Sequence, residues 1–279
     1  MLIEIAIGDA YGAAFEFADR EFIEKNNDGK KYHERVSKWG SIMGRGRYTD
    51  DTQMTLAIAE HLIARRKHTY EEYVTCFLKA YDRDKRNGYS KRIVAALENS
   101  KDSNEFYKLL DSNSDSNGCV MRTVPLGILK DPKDVIKASI VHASTTHSTI
   151  DSIRSTIFIS LISHYYYWKY DNTLEDFLKN NMGDINDILR SWDIGMSIPV
   201  DAKITASAVY HLINSCNTMT EILVKGVNMG GDVDSLCSIS LGIASLMPNI
   251  KNDLDQQLYD DLENEAFGKD YILKLENMI

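Results

Sequence analysis

The chain has 279 residues, 43% of them hydrophobic, and a formal net charge of −9. That is enough to bury one large core or two small ones. The acidic balance excludes a broad basic surface, so direct nucleic-acid binding is not expected, and no apolar run reaches the roughly 18 residues that a membrane span needs.

In chain order, Met1 to Phe15 is apolar but carries Glu4 and Asp9 and no basic leading segment, which argues against a signal peptide. Within it, Gly8-Asp9-Ala10-Tyr11-Gly12 sets two small residues four apart, so that a helix can pack closely on a neighbour. Taken alone that is core packing, and Glu16 beyond it is a surface acid. Loops are expected at 26–30 and 40–47. Thr49-Asp50-Asp51-Thr52 then opens an amphipathic helix in which Met54, Ala57, Ile58 and Leu62 recur at three- and four-residue spacing, ending in Ala-Arg-Arg-Lys. The same periodicity predicts helices over 70–81, 134–143, 150–167, 173–180, 184–192, 203–216 and 218–228. A Ser-, Gly- and Ala-rich helix over 235–247 can pack closely. Further loops are expected at 111–118 and 171–172. Clear strand alternation is missing, and Tyr165-Tyr166-Tyr167-Trp168 reads as a partly buried helix end.

Cys76, Cys119, Cys216 and Cys237 show no C-x-x-C spacing. They read as reduced core residues in a cytoplasmic protein, not as a zinc or redox site. No repeat or linker divides the chain, so a single all-α domain over 1–279 is expected.

Two acidic clusters lie far apart in sequence, and each sets two carboxylates beside a hydroxyl just before a helix. In Thr49-Asp50-Asp51 the plain reading is helix capping, but two adjacent aspartates exceed what a cap needs. Gly230-Gly231-Asp232-Val233-Asp234-Ser235 admits three readings. A calcium loop needs Gly at its sixth position and Glu at its twelfth, where Cys237 and Ile243 stand. A dehalogenase-type phosphatase needs a buried strand before the first Asp, and Asn228-Met229-Gly230-Gly231 is not one. The third reading is a loop whose glycines let the backbone cross a site closely, with Asp232, Asp234 and Ser235 aimed at a cation. If the fold joins the clusters, at least four carboxylates meet, and they cannot all stay ionised without positive charge between them. Oxygen-only clusters suit Mg²⁺ or Mn²⁺. Ser116-Asn117-Gly118 enters a helix in a way that suits phosphate, with an ordinary N-cap as the plain alternative. His147 is equally open to a structural or a binding role.

Taken together and in order, these segments resemble the ADP-ribosylglycohydrolase family, which includes the hydrolase that reactivates dinitrogenase reductase. The matching pieces are Gly8-Asp9-Ala10-x-Gly12 with Glu16, Tyr48-Thr49-Asp50-Asp51-Thr52-x-Met54, Asn87-Gly88-Tyr89, Asn117-Gly118-x-x-Met121-Arg122, Thr146-His147 and Gly230-Gly231-Asp232-x-Asp234-Ser235. The resemblance implies an all-α, single compact orthogonal helical domain with two Mg²⁺ (or Mn²⁺) ions in a central cleft. It implies Thr49, Asp50, Asp51, Asp232, Asp234 and Ser235 as metal ligands. Glu16, on a mobile segment, Asp51, Asp232 and Asp84 are implied as catalytic acids, and Ser116, Asn117, Gly118 and His147 as contacts to ADP-ribose. Two departures stand out: Ser235 where Thr is usual, and Lys85-Arg86-Asn87-Gly88 in place of the usual Arg-Gly-Tyr. The implied activity is hydrolysis of ADP-ribose from modified protein side chains, with arginine-linked substrates preferred. O-acetyl-ADP-ribose, poly(ADP-ribose) or non-enzymatic ADP-ribose binding are the alternatives. The implied partners are ADP-ribosylated proteins or conjugates, and a monomer is expected.

Overall fold

The computed structural model describes residues 1–38 and 40–279. Among them, fifteen helices follow one another: α1 (Leu2–Gly12), α2 (Arg20–Asn26), α3 (Asp50–Ile63), α4 (Tyr70–Arg83), α5 (Lys91–Asn99), α6 (Ser103–Leu109), α7 (Pro132–Ser144), α8 (Ile150–Trp168), α9 (Leu174–Met182), α10 (Asn186–Leu189), α11 (Ala202–Asn214), α12 (Met219–Met229), α13 (Val233–Ala244), α14 (Gln256–Asp260) and α15 (Lys269–Glu276). The expected all-α architecture is what forms. Helix starts are written in the sequence as Thr or Asp caps: Thr69, Thr149, Thr173, Thr218 and Asp201 each accept a hydrogen bond from a backbone N–H of the first turn. No helix among the described residues is long and apolar enough to cross a membrane. Cys76, Cys119, Cys216 and Cys237 are all free and buried.

Two helices form the centre. Every residue of α1 and of α13 is buried, and the two pack along each other with no side chain between them at the glycines. A Cβ on Gly8 would lie 2.5 Å from the Cys237 carbonyl oxygen, and one on Gly12 would lie 2.5 Å from the Asp234 Cα. The expected close packing is therefore backbone against backbone, and its partner is the helix that carries the second acidic cluster.

Three expectations need correction. The segment 40–47 is not wholly loop: β1 (Arg35–Val36) and β2 (Ile42–Met43) pair antiparallel, with Arg35 opposite Met43 and Val36 opposite Ile42. Strands of two residues are too short to show alternation. The helix expected over 184–192 shrinks to α10, because side chains of α11 take the Leu189 carbonyl (Ser207 Oγ 3.1 Å, His211 Nε2 2.9 Å). Finally, α2, α5, α6, α14 and α15, of five to nine residues and with only one to three buried each, were not expected.

Gly12→Ala forces a methyl group into the α13 backbone. Overpacking of this kind costs about 1–3 kcal/mol, and a backbone neighbour cannot rotate away. Denaturant unfolding of the variant is expected to show at least that loss. Wild-type stability would show that the two helices are not locked at this point.

Candidate active site

The N-terminus of α3 is fixed from another helix. Asp9, fully buried on α1, accepts from the Thr49 amide (2.9 Å), the Thr49 hydroxyl (2.8 Å), the Thr52 amide (2.9 Å) and the Thr52 hydroxyl (2.6 Å). It thus satisfies first-turn donors that a helix cannot satisfy itself. The Thr49 hydroxyl in turn accepts from the Asp51 amide at 3.4 Å. Capping is therefore real at this cluster, but it is shared between Thr49 and Asp9, and Asp50 and Asp51 are left to face elsewhere. The Asp50 amide donates to the Asn87 carbonyl (3.0 Å), and Gly88, at φ +105°, sits so close that any Cβ would strike the Asp50 carboxylate.

At the second cluster Gly230 (φ +72°) and Gly231 (φ +90°) occupy the left-handed region that favours glycine. They let the chain pair with Ile198: the Ile198 amide donates to the Gly230 carbonyl and the Asp232 amide to the Ile198 carbonyl, each at 2.8 Å. Asp232 then occupies the N-cap position of α13 without a side-chain capping bond, and Asp234 lies in the first turn, where the helix dipole favours negative charge.

The fold brings the two clusters together. A cavity of about 570 Å³ is lined by Glu16, Asp50, Asp51, Asp232, Asp234 and Ser235, and also by Ser116, Asn117, Gly118 and His147. One carboxylate oxygen from each of Glu16, Asp232 and Asp234 lies within 4.8 Å of the others. Two of the predicted residues do not line it. Thr49 stands behind Asp51, bonded to Asp9. Asp84 is turned away from the cleft, its carboxylate held by Arg86 Nε at 2.7 Å, and Arg86 in turn pairs with Glu263. Asn117 lines the cavity, but its side-chain amide is already engaged, donating to Thr205 Oγ1 (3.2 Å) and to the Asp232 carboxylate.

The cleft divides by charge. On the acidic side burial lifts every carboxylate: Asp50, Asp51 and Asp234 go well above the usual range, with neighbouring carboxylates adding to the effect. Burial, then Asp232, raises Glu16 to about 8. Among the described residues, Asp51 Oδ1 and Asp234 Oδ1 are buried without a hydrogen-bond partner. On the basic side His147 Nε2 accepts from Ser116 Oγ at 2.8 Å and from Arg92 Nη2 at 3.3 Å, so its Nδ1–H donates to Thr146 Oγ1 at 2.7 Å. Burial, then Arg122 and Arg92, pushes its pKa well down, so the imidazole is neutral. Arg122 is 2% exposed, bonded to His142 Nε2 (2.9 Å) and Thr146 Oγ1 (2.7 Å), and lies 4.4 Å from the Phe77 ring centroid. Burial lowers it to about 10, which leaves it cationic.

Reading the sequence missed three of these residues as site residues. Asp9 was in view between the two glycines, and an acid on a face that packs that closely was the signal. Arg122 ended the Asn117 segment. Arg92 lies on α5, a helix too short to be read.

Residues 1–278 match the family model for ADP-ribosylglycohydrolase. A 165-residue stretch is 25% identical to ADP-ribosylarginine hydrolase Tri1 of Pseudomonas putida (strain GB-1), covering 54% of this chain and 42% of that protein. A solved structure, an ADP-ribosylglycohydrolase-related protein complex, superposes with a TM-score of 0.73 at 19% identity, over 99% of this chain and 93% of the other, and shares its fold. With a family model matched along nearly the whole chain, the protein belongs to the ADP-ribosylglycohydrolase family.

Proposed function

We propose that the protein is a divalent-cation-dependent ADP-ribosylhydrolase that releases ADP-ribose from modified protein side chains, arginine-linked ones foremost. The observation that carries this is the convergence of two sequence-distant acidic clusters, with buried and unpartnered oxygens on Asp51 and Asp234, in one cavity of ligand size. The arginine preference rests on the named activity of the Pseudomonas relative, of which the match spans less than half.

An all-oxygen donor set suits Mg²⁺ or Mn²⁺. Two ions would be held by Thr49, Asp50, Asp51, Asp232, Asp234 and Ser235. Thr49 does not line the cavity, but with its hydroxyl proton on Asp9 and one lone pair on the Asp51 amide it keeps a second lone pair for a cation beside Asp51. Ser235 supplies the same kind of oxygen as the usual Thr. When bound, such ions stabilise negative charge on ribose oxygens and lower the pKa of a coordinated water.

The chain's own groups do the rest. The loop at Asn117 and Gly118, with Arg92 beside His147, binds the diphosphate. That arrangement presents the anomeric carbon to the acidic side. Cleavage passes through an oxocarbenium-like state. Glu16 accepts the proton of the attacking water: no hydrogen bond among the described residues occupies its carboxylate, and one of its oxygens lies within 4.8 Å of those of Asp232 and Asp234. Asp51 and Asp232 are less suited, since Asn117 holds Asp232 and the Ser235 hydroxyl lies against both. Asp84, paired with Arg86, is left out of the reaction.

Defined ADP-ribosylated peptides, incubated with and without Mg²⁺ and followed by mass spectrometry, are expected to release intact ADP-ribose only with the cation, arginine-linked peptides fastest. Release of AMP or phosphate would instead indicate a nucleotide hydrolase. Asp50→Asn and Asp234→Asn are expected to abolish release, and Glu16→Gln to lower kcat by roughly 10²–10⁴-fold, the usual contribution of a general base. Unchanged turnover in both aspartate variants would sink the two-cation reading.

Stability supplies an independent test. Glu16, Asp50, Asp51 and Asp234 have folded-state pKa values above their unfolded ones. The folded state therefore holds more protons, and without cations its stability falls as pH rises through that window. Buried neutral histidines act oppositely, but only below about pH 6.5. Between roughly pH 6.5 and 8 the chelated protein should lose thermal stability. A fixed Mg²⁺ concentration equal to 100 times the Kd at pH 6.5 should restore about 2.7 kcal/mol at that pH, and more at pH 8, where the ionised carboxylates bind the cation more tightly. A melting temperature independent of both pH and Mg²⁺ would contradict this account.

A further inference from the structure

Glu16 lies outside any helix. α1 ends at Gly12, and residues 13–17 form a turn that carries Glu16 back over α13. Its carboxylate nevertheless meets those of Asp232 and Asp234 with oxygens within 4.8 Å, against their mutual repulsion. Two features of the turn call for an external hold. Phe17 sits at φ +47°, a left-handed conformation that an aromatic residue adopts only when its surroundings impose it. In that conformation its amide donates to the Gly231 carbonyl at 2.7 Å, tying the turn to the residue just before Asp232.

The hold comes from the hairpin. Arg35 Nε donates to the Ala14 carbonyl at 2.6 Å, and Arg35 Nη2 donates to the Glu16 carbonyl. One planar guanidinium therefore grips the backbone on both sides of Phe15. The register explains why Arg35 can do this. Arg35 stands opposite Met43, and Met43 lines the cleft, so their shared face of β1–β2 looks inward. Val36 and Ile42, the next pair along, belong to the opposite face and are 60% and 63% exposed.

We propose that Arg35 is the positioning residue for Glu16, acting as a two-pronged clamp that keeps the Phe17 amide on Gly231 and so aims the Glu16 carboxylate at the cation site. The proposal deepens the hydrolase reading and rests on its cation site. The fork matters as well as the charge. A lysine keeps the charge but offers a point donor that cannot span two carbonyls in fixed geometry. Glu16 is not among the six ligating residues, but its carboxylate oxygen lies within 4.8 Å of those of Asp232 and Asp234, and groups that border a metal's ligands in this way typically contribute about 10–100-fold to metal affinity or activity.

The test measures Mn²⁺ affinity by electron paramagnetic resonance and amide exchange at Phe17 by NMR, on the full chain. Arg35→Ala is expected to weaken Mn²⁺ binding at least about tenfold. It should speed Phe17 exchange by a similar factor and lower kcat with little change in KM. Arg35→Lys should recover only part of each effect. Glu16→Gln should weaken Mn²⁺ without speeding Phe17 exchange, which separates loss of the carboxylate from loss of the clamp. Wild-type Mn²⁺ affinity or wild-type Phe17 exchange in Arg35→Ala overturns the proposal. So does full recovery of both in Arg35→Lys, since charge alone would then suffice. If Arg35→Ala does not fold, the lysine variant decides: a partial loss supports the clamp and wild-type behaviour overturns it. A wild-type protein that binds Mn²⁺ but releases no ADP-ribose would refute the hydrolase reading while leaving the affinity and exchange measurements valid.

Discussion

The organising constraint of this molecule is the burial of like charge. Glu16, Asp50, Asp51, Asp232 and Asp234 line one cavity, each at most 8% exposed, and Asp9 lies fully buried behind them. Close-set carboxylates in a low-dielectric interior repel one another and lose hydration together. Around them, the scaffold supplies hydrogen-bond donors, two helix N-termini and tight backbone packing. Asp9 is the clearest instance. It is a buried acid whose pKa burial raises, and four donors from Thr49 and Thr52 at the start of α3 counter part of that rise, while its neighbours are left short of partners. The contrast between satisfied Asp9 and the unpartnered oxygens of Asp51 and Asp234 marks where structure ends and ligand binding begins.

Rigidity and charge are linked through α1 and α13. Because Gly12 lies against the Asp234 Cα, the end of α1 is registered directly on the start of the second acidic cluster. The same helix carries Asp9, which registers α3 and the first cluster. One short, wholly buried helix thus sets the relative position of carboxylates that lie far apart in sequence. A swap of either glycine for a larger residue changes the cleft and the core at once, so packing and chemistry cannot be separated at these positions.

How far this was legible in the sequence depends on the range of the interaction that decides each feature. Helices with long apolar faces and Thr or Asp caps were readable, because both signals are local. Helix α10 was overestimated because Ser207 and His211, on another helix, take its last carbonyl. The hairpin escaped because its strands are two residues long. At the site, the acidic clusters announced themselves by excess, holding more carboxylates than capping requires. Asp84 stood in the same sequence neighbourhood, but its role is decided by Arg86 and Glu263, and Glu263 comes from the far end of the chain. Asn117 lines the cleft, yet its side chain serves Asp232, a partner that no local pattern could disclose.

The charge division of the cleft narrows what can fill it. Arg92 and Arg122 stand close to His147, and burial together with these two cations keeps that imidazole neutral. Arg122 makes its hydrogen bonds to neutral groups, His142 and Thr146, not to a carboxylate. A buried guanidinium without an ion-pair partner is costly, and so is a cluster of buried carboxylates without a cation. Asn117 connects the two regions through the Asp232 carboxylate, so they form a single site. Each half therefore lacks the charge that the other carries in excess, yet neither neutralises the other directly. A ligand with an anionic group for the arginine side and neutral hydroxyls for a cation-filled acidic side would complete both. ADP-ribose has that polarity, whereas inorganic phosphate or a free sugar would complete only one half.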